Sequence, residues 1–288
     1  MADSRVERET ITYNAGLSAC EKGEQWIQAL QLFREMADSR VERNTITYNA
    51  AVSACAKGVQ WVQALQLFRE MADSRVERDN ITYSAAVSAC GKGQLWVQAL
   101  QLFRSMAGSR VERDTITYNA AVSACEAVSA CEKGEQWVKG QQWEQALQLF
   151  REMADSRVER DTITYNSAVS ACEKGEQWVH ALQVFRKMAD SRVERDTITY
   201  NAAVSACEKG EQWTQALQLF QEMADFRLER NTIVYNAAMS AYEKGEQWIQ
   251  ALQLFLEMAD NRVERDTITY SAAVREWPAM GIGIAALP

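Results

Sequence analysis

Apolar residues recur along this chain in a pattern that repeats itself. In Thr197–Asn231 the first half, TITYNAAVSACEK, sets Ile198, Val204 and Cys207 among small residues. The second half, EQWTQALQLFQEMAD, places Trp213, Ala216, Leu217, Phe220 and Met223 at helical spacing, and Leu219 adds a second apolar strip. A helix that is apolar on two sides must bury both, one against its partner helix and the other against the next repeat. Gly210 separates the halves and predicts a helix end, because glycine just past a C-terminus adopts the left-handed conformation without a side-chain clash. Glu211 follows, where the dipole of the second helix favours an acid.

The unit recurs through the chain. Its tyrosine falls at Tyr13, Tyr48, Tyr83, Tyr118, Tyr165, Tyr200, Tyr235 and Tyr270, and six of the seven intervals are 35 residues. The exception, Tyr118 to Tyr165, is 47. Ala121–Glu126 (AVSACE) is copied as Ala127–Glu132, and Lys133–Val138 (KGEQWV) is nearly copied as Lys139–Glu144 (KGQQWE), which accounts for the extra twelve. Six added helical residues turn a face by about 240°, so the first helix cannot lengthen in register. A bulged loop around Lys133–Gly140 is expected, or a kink that divides the array into two halves.

Hairpins that bury their faces only on one another predict an all-α fold, a right-handed α-solenoid (superhelix) of helix–turn–helix repeats. Residues 1–9 align with the end of a second helix, and 10–274 with seven units and the start of an eighth, unit four being 115–161. Residues 275–288 match no repeat. Neither end resembles a polar capping helix, which reads as a fragment of a longer array.

Composition narrows the function. The net charge of −8 argues against strong non-specific binding to phosphates, though not against a local basic track. No run of ~18 apolar residues is present to span a membrane, and the first residues, MADSRVER, lack the apolar centre of a signal peptide. Cys20, Cys55, Cys90, Cys125, Cys131, Cys172 and Cys207 recur in Ser-Ala-Cys, without any Cys-x-x-Cys. Equivalent positions in stacked helices lie roughly 10 Å apart, too far for a disulfide, so they read as small, reduced, buried residues. His180 is the only histidine and stands where other repeats have glutamine, a surface position. Neither a metal site nor a cofactor motif nor a catalytic constellation is legible, and the expectation is a binding protein rather than an enzyme.

The 35-residue period, the Tyr-Asn of the first helix, the Lys-Gly turn and the Ala-Leu-x-Leu-Phe-x-x-Met of the second resemble the pentatricopeptide repeat family. SACEKGEQW followed by QALQLF is similar to its repeats in algae and other protists. The resemblance runs from Thr10 to about Val274. The rival is the tetratricopeptide repeat, a peptide-binding unit of about 34 residues. The 35-residue spacing, the Tyr-Asn and the lack of that unit's Leu-Gly favour the first family.

The resemblance implies single-stranded RNA binding, one base per repeat, with two residues of each unit selecting the base at its Watson–Crick edge. These are the residue after the tyrosine and the last residue of the repeat. The pairs are Asn14 with Asn44, Asn49 with Asp79, Ser84 with Asp114, Asn119 with Asp161, Asn166 with Asp196, Asn201 with Asn231, and Asn236 with Asp266. In the family's code Asn with Asp favours uridine, Ser with Asp guanine, and Asn with Asn a pyrimidine, so the implied target is pyrimidine-U-G-U-U-pyrimidine-U. Asp or Asn before a helix is equally an N-cap. The resemblance also implies that Ile11, Ile46, Ile81, Ile116, Ile163, Ile198, Ile233 and Ile268 sandwich the bases, the alternative being ordinary core. Lys22, Lys57, Lys92, Lys133, Lys174, Lys209 and Lys244 form a candidate phosphate ladder, or favourable cations at helix C-termini.

Two departures stand out. Arg195 occupies a place where proline is usual, and its equivalents do likewise, which predicts a looser joint between repeats. Glu208 and Glu211 flank Lys209, which predicts weak, salt-sensitive RNA affinity. The implied role is organellar RNA processing, stability or translation in a chloroplast or mitochondrion, with other RNA-processing proteins as further partners. The alternatives are a protein-interaction scaffold of tetratricopeptide type and an array fragment without a function of its own.

Overall fold

The computed structural model describes residues 2–126, 136–244, 247–261, 263–267 and 269. Every regular element among them is a helix. In chain order these are α1 (Ala2–Lys22), α2 (Trp26–Asp38), α3 (Thr45–Lys57), α4 (Trp61–Asp73), α5 (Asn80–Lys92), α6 (Trp96–Gly108) and α7 (Thr115–Glu126). Then follow α8 (Gln136–Asp155), α9 (Thr162–Lys174), α10 (Trp178–Asp190), α11 (Thr197–Lys209), α12 (Trp213–Asp225), α13 (Thr232–Lys244) and α14 (Trp248–Asp260). They form two compact units, Met1–Arg160 and Asp161–Pro288.

In the first unit α1, α3, α5 and α7 pack in series. Each of α2, α4 and α6 lies against the first helices on either side of it, and α8 lies against α7. In the second unit α9, α11 and α13 pack in series, α10 and α12 bridge them, and α14 lies against α13. This explains the two sequence halves. A first helix is surrounded, so α3 buries Tyr48, Ala50, Ala51, Val52, Ala54, Cys55 and Ala56 around most of its circumference. A second helix has solvent on its outer side, and α4 buries only the stripe Ala64, Leu67, Phe68 and Met71.

Successive repeats are joined by one recurring cluster. Phe33 of α2 meets Tyr48 of α3 edge-on, with centroids 4.9 Å apart. Phe68 with Tyr83, Phe103 with Tyr118, Phe185 with Tyr200 and Phe220 with Tyr235 repeat the contact. The arginine in the usual place of proline completes it. Arg43 lies 4.6 Å over the Phe33 ring and pairs at 3.0 Å with Glu70, which also accepts the Tyr48 hydroxyl. Arg78 stacks 4.0 Å over Phe68 and donates twice to the Phe68 carbonyl, at 3.0 and 2.7 Å. Arg195 stacks on Phe185 in the same way. The looser joint expected from the missing proline is therefore replaced by an arginine clamp that ties the linker to the helix before it.

The glycine of the turn has a different role from the one expected. Gly58, Gly93, Gly175 and Gly210 have φ between −75° and −82°. The left-handed residue is the next one, Val59, Gln94, Glu176 or Glu211, at φ 56–60°. Gln60 N–H then reaches back to the Cys55 carbonyl at 2.8 Å and closes the helix end. Glycine is required by the preceding repeat instead. A Cβ on Gly210 would lie 2.2 Å from Trp178 Cδ1, and one on Gly58 2.4 Å from Trp26 Cδ1. Glu211 therefore belongs to the turn, two residues before α12 begins.

Two boundaries also differ. Part of the bulge expected around Lys133–Gly140 is helical, because α8 starts at Gln136 and runs for 20 residues against the usual 13. Residues added at an N-terminus leave the register downstream intact, so Ala146, Leu147, Phe150 and Met153 stay buried. The copied residues 127–135 lie outside the described set, as does the tail 275–288. At the N-terminal end α1 continues through residue 9 instead of ending and restarting. Glu9 stands where Asn44 or Asp79 caps an equivalent helix, and glutamate is a helix former rather than a cap.

Replacing Arg78 by alanine is expected to cost about 2 kcal/mol in urea unfolding, with lysine restoring little of it. Gly210→Ala should cost about 1–3 kcal/mol through the clash with Trp178. Glu211→Gly, which relieves a left-handed residue, should stabilise by up to about 1 kcal/mol. A glycine preference at 210 without one at 211 would contradict the last expectation.

Candidate nucleic-acid interface

The first helices carry the predicted residues on one side. Ile46 and Asn49 are three residues apart and so neighbours on the helix surface, while Lys57 follows Ile46 by eleven residues, three turns further on the same stripe. The isoleucines are not core. Ile46, Ile81 and Ile116 are 53–67% exposed in the first unit, as is Ile11. Ile163, Ile198 and Ile233 are 58–62% exposed in the second. Ile268 lies outside the described residues. An aliphatic side chain left in solvent at one position of every repeat is a row of apolar ledges, unusual enough to require a reason.

The last residue of each repeat caps the following helix. Asn44, Asp79, Asp161 and Asp196 each accept from the backbone N–H three residues on and close a capping box with the threonine there. Asp114, Asn231 and Asp266 accept from Thr117, Val234 and Thr269 N–H. The cap reading is thus correct, and it coexists with a second set of bonds. Asn49 Nδ2 donates to both oxygens of Asp79 at 3.1 and 2.9 Å. Asn166 does so to Asp196, and Asn236 to Asp266. The two residues of a predicted pair are therefore in direct contact in these three repeats.

A third residue, to which the sequence reading assigned no role, completes the group. Thr47 Oγ1 donates to Asn14 Oδ1 at 2.7 Å, Thr82 to Asn49, Thr199 to Asn166, and Thr269 to Asn236 at 2.7 Å. The signal was present in the invariance of Ile-Thr-Tyr. Its one departure, Val234, removes the donor, and Asn201 Oδ1 is buried without a partner among the described residues. Repeat three departs differently. Ser84 bonds back to its own helix at the Ile81 carbonyl, and Asn80, where other repeats have threonine, donates to Asp114 Oδ2 at 2.9 Å. Asn119 is buried in α7, and Asp161 belongs to the second unit as the cap of α9.

The turn lysines are less available than the sequence suggests. Lys57 pairs with Glu21 of the preceding repeat at 3.1 Å, Lys209 with Glu173, and Lys244 with Glu208 at 3.9 Å. A phosphate would compete with these carboxylates. Lys133 lies outside the described residues.

The other candidates for chemistry are structural. Cys20, Cys55, Cys90, Cys125, Cys172 and Cys207 are free thiols. Burial pushes Cys55, Cys90 and Cys207 up to about 11 and Cys125 to about 12, which leaves them inert. Cys131 lies outside the described residues. His180 is half-buried in α10 rather than on the surface. No group of three or more potential metal ligands occurs among the described residues, and no helix there is long and apolar enough to cross a membrane.

The PPR repeat family matches at residues 8–57 and 43–92, the pentatricopeptide repeat domain at 148–210, and the PPR repeat at 81–111, 198–228 and 233–263. The chain belongs to the pentatricopeptide repeat family. Its structure resembles that of the pentatricopeptide repeat protein PPR10 from maize, at 23% identity and a TM-score of 0.61, over 90% of this chain and 36% of that one. It also resembles PPR10 in complex with an 18-nt psaJ RNA element, at 18% identity and a TM-score of 0.55, over 93% and 42%. The pentatricopeptide repeat domain of Arabidopsis thaliana protein-only RNase P 1, in complex with tRNA, matches at 14% identity and a TM-score of 0.55, over 67% of this chain and 95% of that one. At these identities the likeness is one of fold, an all-α helical repeat solenoid. This pentatricopeptide repeat chain spans about two fifths of the length of PPR10. No curated relative matches it in sequence.

The caps make stability depend on pH. Burial alone would raise the Asp196 carboxyl, but hydrogen bonds from the Thr199 amide and hydroxyl and from Asn166 outweigh it and hold the group below its ordinary value. A carboxyl lowered on folding stabilises the protein above the unfolded value of about 4, and that contribution disappears as pH falls through the lowered folded value. Asp196→Ala should cost about 1–2 kcal/mol at neutral pH. Asp196→Asn, which keeps a cap, should flatten the loss of stability on acidification below about pH 4, followed by circular dichroism.

Proposed function

We propose that this array binds single-stranded RNA sequence-selectively, one base per repeat. The observation that carries the reading is the coincidence, in the second, fifth and seventh repeats, of an exposed isoleucine and an amide–carboxylate pair on the same side of the first helix. A base placed between isoleucines of adjacent repeats buries both its faces, and its edge meets the polar pair. RNA complexes of PPR10 and of the RNase P domain support the choice of ligand.

In these three repeats the RNA-free pair is already hydrogen-bonded, so binding there exchanges bonds rather than adding them. The gain from a correct base is then modest, and selectivity comes mainly from the wrong base leaving a buried group unpaired. By the family's code the target is pyrimidine-U-G-U-U-pyrimidine-U. The acidic balance of the chain makes affinity salt-sensitive, with a slope of about 0.7 per phosphate neutralised. The cellular role we assign is processing, stabilisation or translation of RNA in a chloroplast or mitochondrion, as a binding protein rather than an enzyme.

Titration with that heptamer and a scrambled one is the direct test. At least tenfold tighter binding to the first is expected, and equal, weak binding to both overturns the proposal in favour of a protein-interaction scaffold. In the variant Ser84→Asn the third position should change its preference from guanine to uridine. An unchanged preference overturns the assignment of the reading pairs.

A further inference from the structure

The turn lysines recur in sequence at intervals of 35 or 41 residues but are not alike in charge. Lys57, Lys209 and Lys244 are each neutralised by a glutamate 36 residues earlier, Glu21, Glu173 and Glu208. At the same offset Lys92 meets Ala56, and Lys92 is exposed with no ion pair among the described residues.

Repeat three has shed acids around Lys92 as well. Gly91, Gln94, Ser105 and Gly108 stand where repeat one carries Glu21, Glu24, Glu35 and Asp38. Residues 80–114 therefore hold Lys92, Arg104, Arg110 and Arg113 against only Glu112 and Asp114, a net of +2 in a chain of −8. Residues 232–266 carry −3. Four acidic positions lost in one repeat, and a fifth lost from the position that would neutralise its lysine, all act in the same direction.

We infer that the electrostatic affinity for the RNA backbone is concentrated in the third repeat, on Lys92, rather than shared along the lysine ladder. The inference rests on the RNA-binding reading above. A phosphate reaching Lys92 displaces only water and counterions, whereas one reaching Lys57 or Lys209 must also displace a carboxylate. The lysine lies eleven residues beyond Ile81 on the same stripe of α5, so the backbone anchor falls in the repeat whose reading pair, Ser84 and Asp114, differs from all the others. Backbone contact positions the strand and the base contact specifies it.

The test is fluorescence-anisotropy titration of the full chain with the heptamer across a potassium chloride series. Lys92→Ala should weaken binding about tenfold at low salt and reduce the salt slope by about 0.7. Ala56→Glu, which supplies the missing partner while keeping Lys92, should do the same; other repeats hold glutamate at that position. Lys209→Ala should weaken binding by less than threefold, and Glu173→Ala, which releases Lys209, should strengthen it several-fold. Equal losses for Lys92→Ala and Lys209→Ala, or no effect of Ala56→Glu, overturn the concentration of affinity and leave RNA binding intact. Failure of the unaltered chain to bind any single-stranded RNA overturns both.

Discussion

The structure depends on the contact between one repeat and the next, and that contact is built on a single arginine. A hairpin of two 13-residue helices cannot stand alone in water. Its stability comes from the neighbour, through a phenylalanine of one repeat set edge-on to a tyrosine of the following one, with the linker arginine lying over the ring and held by a glutamate, as Arg43 is, or by the phenylalanine carbonyl, as Arg78 is. The arginine is planar, permanently charged and forked, so it can stack and bond in several directions at once. Lysine or proline would each supply only part of this. Because the linker is tied down here, the carboxylate or amide that follows it arrives in place to cap the next helix, and the reading pair inherits its position from the same joint.

The fold was legible in the sequence to an unusual degree, because a period repeated seven times averages out local ambiguity. The alternation of first and second helices and the caps followed from local pattern and chemistry. What failed was whatever depended on a neighbour in space. Gly210 looked like a left-handed terminator because that is the commonest reason for a glycine there; the true reason is the Trp178 ring from the previous repeat. Arg195 looked like a lost proline because nothing in its own segment discloses Phe185 beneath it. The helical start of α8 at Gln136 was missed because an insertion was assumed to disturb register, whereas added residues upstream of Trp143 leave the apolar stripe where it was.

The candidate site was legible in its residues but not in its state. The sequence named these residues without showing that asparagine and cap grip each other in the second, fifth and seventh repeats, or that a threonine 33 residues away holds the amide's other end. Such bonds join positions that only the stacking brings together. In those repeats a closed polar group lies beside an open apolar ledge. Two sites deviate, the third repeat through Ser84 and Asn80, and the sixth pair through Val234 of the following repeat, which leaves Asn201 without its donor.

Within each unit the joints use one surface at the trailing side of a repeat and a different one at the leading side: phenylalanine and tryptophan on the first, tyrosine and the small turn residue on the second. Such a head-to-tail interface is heterologous and does not close on itself. A copied repeat therefore arrives already complementary to its template on both sides, and no compensating change is needed for it to dock. The array can gain whole members by duplication of its coding segment, each gain lengthening the stack by one hairpin. Tolerance of a partial copy at the start of α8 follows as well, because residues added ahead of Trp143 leave Ala146, Leu147, Phe150 and Met153 in their buried register.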